Sequence, residues 1–574
     1  MALANAAIAA ALEEIADLLE IDQANPFRVR AYREAARTVA RLPRSVADML
    51  AAGEELDTLP GIGADLAQKI TAIANGESLP ALEALHAKFP GDTAALLALP
   101  GLGPKRVQRL HAALGIDSTE KLRAALAAGA VAGVPGIGAA VAAKLAAALK
   151  EGSGQKPRVA LATADAIASP LLAALGKAPH VECAASAGSL RRRRETVGDL
   201  DFVVAAEDPV PAMQRFLGYD DVKEVLSEGS TRASVVLRSA ELQVDLRVVS
   251  RVSYGAALLY FTGSRAHAIH LRGLALERGR KLNEYGLYEG ERRLPAESER
   301  DIYESLGLRF IPPELREAEG EIEAARSGHL PRLVGVADIR GDLHLHTDAS
   351  DGHAGLAAMA EAARAIGYAY IAVTDHSRRM AMAHGLDERR LAQQVDAIEK
   401  LNERIAGITV LAGIEVDILE DGSLDLPDSI LRRLDVVVGS IHTRFALSEQ
   451  RQTERMLRAM DNPHLNILGH PTGRLINRRA PYAVDMERVM RGALERGCYL
   501  EINAQPERLD LDAQHCRLAK ELGLKLAIST DAHAPADFAL LRYGVDQARR
   551  GWLESENILN TRPLGELRKL LARG

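Results

Sequence analysis

At 574 residues the chain is too long for one hydrophobic core and implies several domains. Apolar residues make up 47% and charged residues 26%, a globular balance that excludes an extended disordered polypeptide. A formal charge of −7 excludes a uniform basic coat for nucleic acid, although local basic grooves remain open to it. Cys183, Cys498 and Cys516 are too few and too scattered for a disulfide framework. Glu13, Glu14 and Asp17 interrupt the apolar amino terminus, which reads as an amphipathic helix and not as a signal peptide. No uninterrupted run of about 18 apolar residues marks a membrane helix. The expectation is a soluble protein of the reducing cytoplasm with no membrane partner.

Residues 1–150 carry Ala and Leu at helical spacing, punctuated by Pro and Gly. Three internal echoes stand out: LPGIGADLAQKI from Leu59, LPGLGPKRVQRL from Leu99 and VPGIGAAVAAKL from Val134. Each is a Gly-x-Gly turn running into a helix, the pattern of a helix-hairpin-helix motif. Gly61 and Gly63, Gly101 and Gly103, and Gly136 and Gly138 would let backbone N–H groups at a helix start approach a DNA phosphate. Such contacts follow the sugar-phosphate backbone and carry no sequence information. A single copy reads equally well as a plain helical turn; three copies favour DNA binding. A polar linker, EGSGQKPR at 151–158, follows.

The next segment, GSLRRRRETVGDLD from Gly188 to Asp201, combines a Gly-Ser turn, four arginines and two aspartates one residue apart. On a strand, Asp199 and Asp201 share a face while Leu200 points to the core. Two carboxylates on a rigid strand suit Mg²⁺, and the turn and arginines offer donors to a triphosphate. In ELQVDLRVV, residues 241–249, Asp245 lies on the polar face of a second alternating strand and would complete a three-carboxylate, two-metal site. A solvent-facing edge charge is its simpler role.

These motifs, in this order, resemble the family X DNA polymerases. The resemblance implies that Asp199, Asp201 and Asp245 are the catalytic metal ligands of a nucleotidyltransferase palm. It implies that Gly188, Ser189, Arg192 and Gly198 lie at the triphosphate. It makes YFTGS, with Tyr260, Phe261 and Gly263, the sugar-and-base segment, and Arg272 a helix position facing the template. Ala268 stands where many relatives carry a polar residue at the nascent base pair, and Arg193 where a Gly is frequent. The first hairpin lies in a segment resembling the family's small amino-terminal domain, some members of which act as Schiff-base lyases. Lys69 matches their nucleophile, with Arg28 and Tyr32 nearby, but Asp65 replaces a second lysine that would help lower its pKa. A backbone-binding or solvent-exposed lysine is the competing reading.

Residues 316–338 read as a charged, helical tether. Beyond residue 340 lie ten of the sixteen histidines, and their placement is regular. DLHLH ends in His344 and His346, followed by Asp351; YIAVTDH delivers His376; ITVLAGIE delivers Glu415. VVVGSIH gives His442, NILGH gives His470, and LAISTDAH gives Asp531 and His533. Apolar runs ending in metal-capable side chains, with helical segments between, follow the logic of a β/α barrel. Mixed imidazole and carboxylate ligation suits Mn²⁺ or Zn²⁺. The pattern resembles the PHP (polymerase and histidinol phosphatase) domain with up to three ions. That likeness implies His344, His346, Glu415 and Asp531 at one ion and Asp351, His376 and His533 at a second. Glu415, His442 and His470 would hold the third, with His353 an alternative to Asp351. Arg444 and Arg474 read either as phosphate holders or as surface ion pairs.

The expected architecture is therefore multidomain: a helical helix-hairpin-helix region, an α+β palm and thumb, and a carboxy-terminal TIM-like PHP barrel. Its parts are a lyase-like domain at 1–80, a hairpin domain at 81–156, the palm at 157–250, the thumb at 251–315, the tether at 316–338 and the barrel at 339–574. The resemblance implies an enzyme that fills short gaps in DNA repair from deoxynucleoside triphosphates, with a 3′–5′ exonuclease in the barrel; a monomer is expected. A small-molecule phosphatase and a DNA-binding scaffold with an inactive palm are the alternatives.

Overall fold

In the computed structural model the described residues are 5–42, 45–77, 79–89, 93, 96–97, 99, 102–150 and 158–573. They fall into two compact units, Met1–Lys156 and Pro157–Gly574. No helix among them is long and apolar enough to cross a membrane.

The first unit is helical. In its three hairpins the same turn recurs: Ile62 N–H donates to Leu59 O (3.1 Å), Leu102 N–H to Leu99 O (3.0 Å) and Ile137 N–H to Val134 O (2.9 Å). The residue between the glycines, Ile62, Leu102 or Ile137, is buried in one shared apolar core. That anchor fixes the turn, and the helices Ala64–Ala74, Pro104–Leu114 and Ala139–Lys150 start directly after it. Gly61 and Gly136 are left-handed (φ 76° and 83°), which glycine adopts without a Cβ penalty. Gly101 lies outside the described residues, as does most of the 151–158 segment.

In the second unit, β1 (Val159–Ala160) pairs with β3 (Thr196–Val197). A five-stranded sheet has the order β2-β4-β7-β6-β5. Its strands are β2 (Val181–Ser186), β4 (Asp199–Ala206), β5 (Val222–Glu228), β6 (Arg232–Leu237) and β7 (Gln243–Val249). The period-2 alternation of β4 and β7 sends Leu200, Phe202, Val204, Val244, Leu246 and Val248 into a core under helices Leu161–Gly176 and Val210–Leu217. The aspartates take the opposite face. Helices Tyr254–Thr262 and Arg265–Glu277 and a three-stranded meander, β8 (Arg280–Asn283), β9 (Gly286–Glu289) and β10 (Arg292–Leu294), follow. Residues 316–338 do not hang free: helix Glu321–Ser327 buries Ile322 and Ala325 in the same core as Leu271 and Tyr303. Arg316 is fully buried against Glu299.

The carboxy-terminal part is a seven-stranded parallel barrel. Its strands are β11 (Gly341–Leu345), β12 (Tyr370–Val373), β13 (Thr409–Asp417), β14 (Val436–Ser440), β15 (Ile467–Leu468), β16 (Tyr499–Asn503) and β17 (Leu526–Ser529), neighbours in chain order. Side chains close the seam between β11 and β17. Asn560, fully buried, donates to Gly341 O and Ile528 O (2.7 Å each) and accepts from Ile528 N–H (3.0 Å). Higher up, Thr530 Oγ1 donates to Asp342, and His346 N–H donates to Ala532 O (2.8 Å). The lower interior is apolar, with Leu343, Tyr370, Leu411, Val436 and Ile467 meeting Leu567 and Leu571 of the last helix. Asn560→Ala should strand three buried backbone groups. The expected cost is about 3 kcal/mol, at 1–3 kcal/mol per unpaired group with partial relaxation. It is read as a lower melting midpoint and faster hydrogen exchange at Ile528.

Candidate metal centres

On the face of the five-stranded sheet opposite Leu200 and Phe202, β4 and β7 run parallel, with Asp201 directly paired to Asp245 and Asp199 to Gln243. Adjacent strands thus place three carboxylates side by side. Asp245 accepts hydrogen bonds from Ser234 Oγ and from Gln243 Nε2 (3.0 Å). Burial pushes the Asp201 carboxyl up to about 7, and the neighbouring Asp199 and Asp245 charges add to the shift. The physical picture is a surplus of negative charge that a divalent cation would relieve. Among the described residues these three are not gathered as tightly as the barrel ligands described below.

The Gly-Ser turn lies against them as the short helix Gly188–Arg191. Gly188 is left-handed (φ 58°), and a Cβ there would come within 2.2 Å of Asp201 Oδ2, so only glycine lets the turn meet the carboxylate. Ser189 is on this turn, and Gly198 immediately precedes β4 beside the Arg158 guanidinium. Arg192 Nη1 donates to Thr262 O and its Nε to Glu317 Oε1 (3.0 Å), so the turn and the YFTGS segment are joined. Gly263 (φ 64°) sits against Arg192, and the Gly263–Ser264 peptide is cis. Tyr260 and Phe261 stack edge-on, with Arg272 over Tyr260 (5.8 Å) and Arg247 over Phe261 (5.1 Å). Ala268 O accepts from Arg272 Nε (3.2 Å). Arg193, bulky where a glycine is frequent, is bidentate to Asp165 (2.8 and 2.7 Å) and also reaches Asp546 (2.7 Å).

At the upper end of the barrel the nine candidate ligands converge. Eight of them offer ligand atoms in three groups, each within 4.8 Å: His346, Asp351, His376 and His533; His344, His346 and Asp531; and His376, Glu415 and His442. The ninth, His470, joins them through Glu415. Glu415 is central. Its Oε1 lies 3.0 Å from His470 Nε2 and 3.3 Å from His442 Nε2, and its Oε2 lies 3.6 Å from His344 Nε2 and 3.7 Å from His346 Nε2. His376 Nδ1 is 2.7 Å from Oε2, without the alignment of a hydrogen bond. His346 and His376 therefore each border two groups, a sharing that strand order alone does not reveal. His470 and Asp531 hold left-handed backbones (φ 27° and 51°), strain of the kind stored at functional sites.

The electrostatics suit cation ligation. Burial raises the Glu415 carboxyl, but His376, His442 and His344 overcome it and hold the group well below the usual range. Burial lowers the His376 imidazole, yet Glu415 and Asp351 lift it to about 10. Several buried ring and carboxylate atoms have no hydrogen-bond partner: His344 Nε2, both His346 nitrogens, His376 Nδ1, His470 Nδ1 and Glu415 Oε2. Such orphaned atoms are costly unless a cation takes them. The donor set therefore fits divalent ions.

Two carboxylates that sequence reasoning passed over orient the rings. Glu501 Oε1 is 2.7 Å from His344 Nδ1, and Asp417 Oδ1 is 2.5 Å from His442 Nδ1. Glu501 lies mid-strand in YLEIN and carried no strand-end signal, whereas Asp417 closes β13 two residues after Glu415, so there the signal was present. Arg508, 3.9 Å from Asp531 Oδ2, and Arg247, two residues past Asp245 on its face, were also missed. His353 belongs to no ligand group among the described residues. Arg444 pairs with Glu420 at the surface (3.2 Å), whereas Arg474 is buried on Glu195 (2.8 Å).

In the helical unit, a Cβ at Gly63, Gly103 or Gly138 would meet nothing within 4 Å, so three helix starts are open. Gly136 differs: Arg109 Nη1 donates to Pro135 O (3.1 Å) and crowds it. Lys69 Nζ is 2.5 Å from Asp65 Oδ2 and lies over the Tyr32 ring. Burial lowers this ammonium, but Asp65 and Tyr32 more than compensate and hold it above its ordinary value, opposite to what a Schiff-base nucleophile needs.

Comparison with known proteins meets this geometry over the full length. The chain is 38% identical to the DNA polymerase/3'-5' exonuclease PolX of Bacillus subtilis (strain 168) over 567 residues, 98% of each chain. It belongs to the PolX family. Family models place a DNA polymerase beta thumb at 257–317, a helix-hairpin-helix domain at 3–79, a SAM-like helix-hairpin-helix tandem at 93–151 and a PHP domain at 342–505. Part of the chain is similar to a probable phosphatase of Thermoanaerobacter sp. (strain X514), 32% identical over 243 residues, 40% of this chain and 93% of that one. A probable phosphatase of Caldanaerobacter subterraneus subsp. tengcongensis is 32% identical over 232 residues, 38% of this chain and 86% of its own. The thumb, the hairpin region and the barrel expected of the PolX architecture are thus present.

Because the folded state favours protonated Asp201, its contribution to stability is fully present below the unfolded pKa, near 4. It is lost as pH rises through about 7. Asp201→Asn should remove that loss. In chelator, its melting temperature should exceed the wild-type value at pH 8, with the gap closing by pH 5; equal midpoints at both pH values would contradict the shift.

Proposed function

We propose that this PolX-family chain is a gap-filling DNA polymerase of DNA repair that also degrades DNA 3′–5′ at a second centre in its barrel. The observation that carries the reading is the pairing of Asp201 with Asp245 on adjacent strands beneath the Gly188 turn, in a chain similar to a polymerase/exonuclease throughout. The substrates are primer–template or gapped DNA and deoxynucleoside triphosphates. The boundaries we propose are a lyase-like segment at 1–80, hairpins at 81–156, the palm at 157–250, the thumb at 251–315 and the barrel at 339–574. Residues 316–338 join the last two. The protein works as a monomer, and its three free cysteines suit the cytoplasm.

Asp199, Asp201 and Asp245 would hold Mg²⁺, and the nine barrel ligands up to three Mn²⁺ or Zn²⁺. Bound there, divalent ions supply charge neutralisation at phosphate and a nucleophilic water for hydrolysis. The chain's own residues do the rest. Ser189 and the Gly188 backbone meet the triphosphate, and Arg192 reaches it by exchanging its Glu317 partner for phosphate. Tyr260, Phe261 and Arg272 border the sugar, base and template. In the barrel, Glu501 and Asp417 hold the Nδ1 atoms of His344 and His442, so the Nε2 atoms that face Glu415 need no reorganisation. Lys69, paired to Asp65, serves DNA binding and not lyase chemistry.

The similarity of part of the chain to probable phosphatases supports a second reading, in which the barrel acts on small phosphomonoesters. A 5′-labelled gapped primer–template, incubated with Mg²⁺ or Mn²⁺ with and without nucleotides, separates these readings: extension and stepwise shortening are expected. Hydrolysis of nucleoside monophosphates without shortening would favour the phosphatase.

Asp201→Ala should reduce nucleotide incorporation by several decades, as loss of a metal ligand does in two-metal sites, while DNA binding persists in a filter or anisotropy assay. His344→Ala combined with His346→Ala should abolish shortening in Mn²⁺ and spare extension in Mg²⁺. Loss of both activities from either variant would refute two separate centres. If each hairpin holds one phosphate, the log–log slope of DNA affinity against salt should be about −2.7, at 0.9 per phosphate. A flat titration between about 50 and 200 mM, the range in which such contacts show, would refute hairpin binding.

A further inference from the structure

The loop after β16 leaves the barrel and enters another core. Leu509 is fully buried, and its apolar neighbours belong to the five-stranded sheet's cluster, with Tyr543 and Ile476 beside it. Its backbone is left-handed (φ 43°), as is that of His470. Non-glycine residues keep such conformations only where surrounding contacts over-determine them. Here the contacts are explicit. Arg474 Nε donates to Arg508 O (2.9 Å), Arg474 Nη2 donates to Leu509 O, and Gln547 Nε2 donates to the same carbonyl (3.2 Å).

Both donors are gripped by one carboxylate from the palm. Glu195 accepts from Arg474 Nη2 (2.8 Å), Arg474 Nη1 (3.2 Å) and Gln547 Nε2 (2.6 Å). Of the other acids near the Arg474 guanidinium, Asp512 stands at 3.9 Å, and Asp510 acts on its charge more weakly than either Glu195 or Asp512. The held loop ends at the metal ligands: Arg508 Nε lies 3.9 Å from Asp531 Oδ2, and Asp510 Oδ2 accepts from Thr472 N–H (2.9 Å), two residues after His470.

We propose that Glu195, a palm residue, is a positioning residue for the barrel's metal centre, acting through Arg474 and Gln547 on the loop that carries Arg508 and braces His470. Without Glu195 the buried Arg474 charge lacks its bidentate partner. Its guanidinium turns toward Asp512 and water, the carbonyls of Arg508 and Leu509 lose their donors, and the strained backbone relaxes. The centre keeps its ligands but loses their placement. Glu195 lies only four residues before Asp199, so one short palm segment serves both centres. The inference rests on the reading of the barrel as the nuclease.

The test uses the full chain with 5′-labelled DNA in Mn²⁺ and compares Glu195→Ala, Glu195→Gln, Arg474→Ala and the Glu195→Ala, Arg474→Ala double variant. Bound metal and melting temperature are measured on each. Glu195→Ala should lower kcat for nucleotide removal by about ten-fold or more, the scale set by small misplacements in an active site, with KM for DNA and bound metal little changed. Glu195→Gln keeps an acceptor oxygen and should lose only about two- to three-fold, a milder misplacement. The double variant should be no worse than Arg474→Ala, because the two residues act in one chain of contacts. Wild-type kcat in Glu195→Ala would overturn the inference, as would multiplying losses in the double variant. So would a fall in melting temperature with no fall in kcat. If Glu195→Ala does not fold, Glu195→Gln decides: an intermediate rate at unchanged melting temperature supports the role, and a wild-type rate removes it. The His344→Ala, His346→Ala variant runs alongside. If it still degrades DNA, the nuclease reading itself fails, whatever Glu195 does.

Discussion

Buried charge must find buried charge, and the run from Arg191 to Glu195 is where this chain meets that constraint. Arg191 is bidentate to Glu299 (2.8 and 2.6 Å), which also holds the fully buried Arg316. Arg192 takes Glu317, Arg193 takes Asp165 and Asp546, and Glu195 takes Arg474. Arg194 also lies 3.7 Å from Glu317, so five consecutive residues draw partners from the palm, the thumb and the barrel. An unpaired ion in such a seam costs several kcal/mol, so the three parts are held in one arrangement by pairing and not by apolar area alone. The second unit is compact for that reason as much as for its cores.

The barrel solves a related problem at its centre. Its lower interior is filled with Leu, Val and Tyr, and its upper interior with imidazoles and carboxylates. Glu415 carries the surplus negative charge toward which five imidazoles lean, and Glu501 and Asp417 lock two of them from behind. The orphaned nitrogens that remain are what a protein evolved to hold cations leaves behind. Stability is spent there: two left-handed non-glycine residues and several unpaired polar atoms sit within one cluster.

The palm shows the same trade on a smaller scale. Three aspartates share one face, and burial together with the neighbouring Asp199 and Asp245 charges raises the Asp201 pKa. Gly188 keeps the Gly-Ser turn pressed against that carboxylate, which crowds the site further. A better-folded palm would separate these charges, and a palm so relaxed would hold metal less well.

The sequence alone determined the periodic and the local. Alternation in DLDFVV and QVDLRVV placed the aspartates on a strand face, and apolar runs ending in His, Asp or Glu announced the barrel. Gly-x-Gly before helical spacing announced the hairpins. These signals are legible because strand and helix periods act within a few residues. Only the tertiary structure decided which partners distant charges take. The arginines after Ser189 read as triphosphate donors, yet all four are already paired, with Glu299, Glu317, Asp165 and Asp546. Arg474 read as a surface or phosphate residue and is instead buried on Glu195, hundreds of residues away. The tether at 316–338 packs into the thumb core because Ile322 and Ala325 face Leu271 and Tyr303 across a gap in sequence. Ion-pair choice and interdomain packing depend on distance and desolvation in space, and no short-range pattern encodes either.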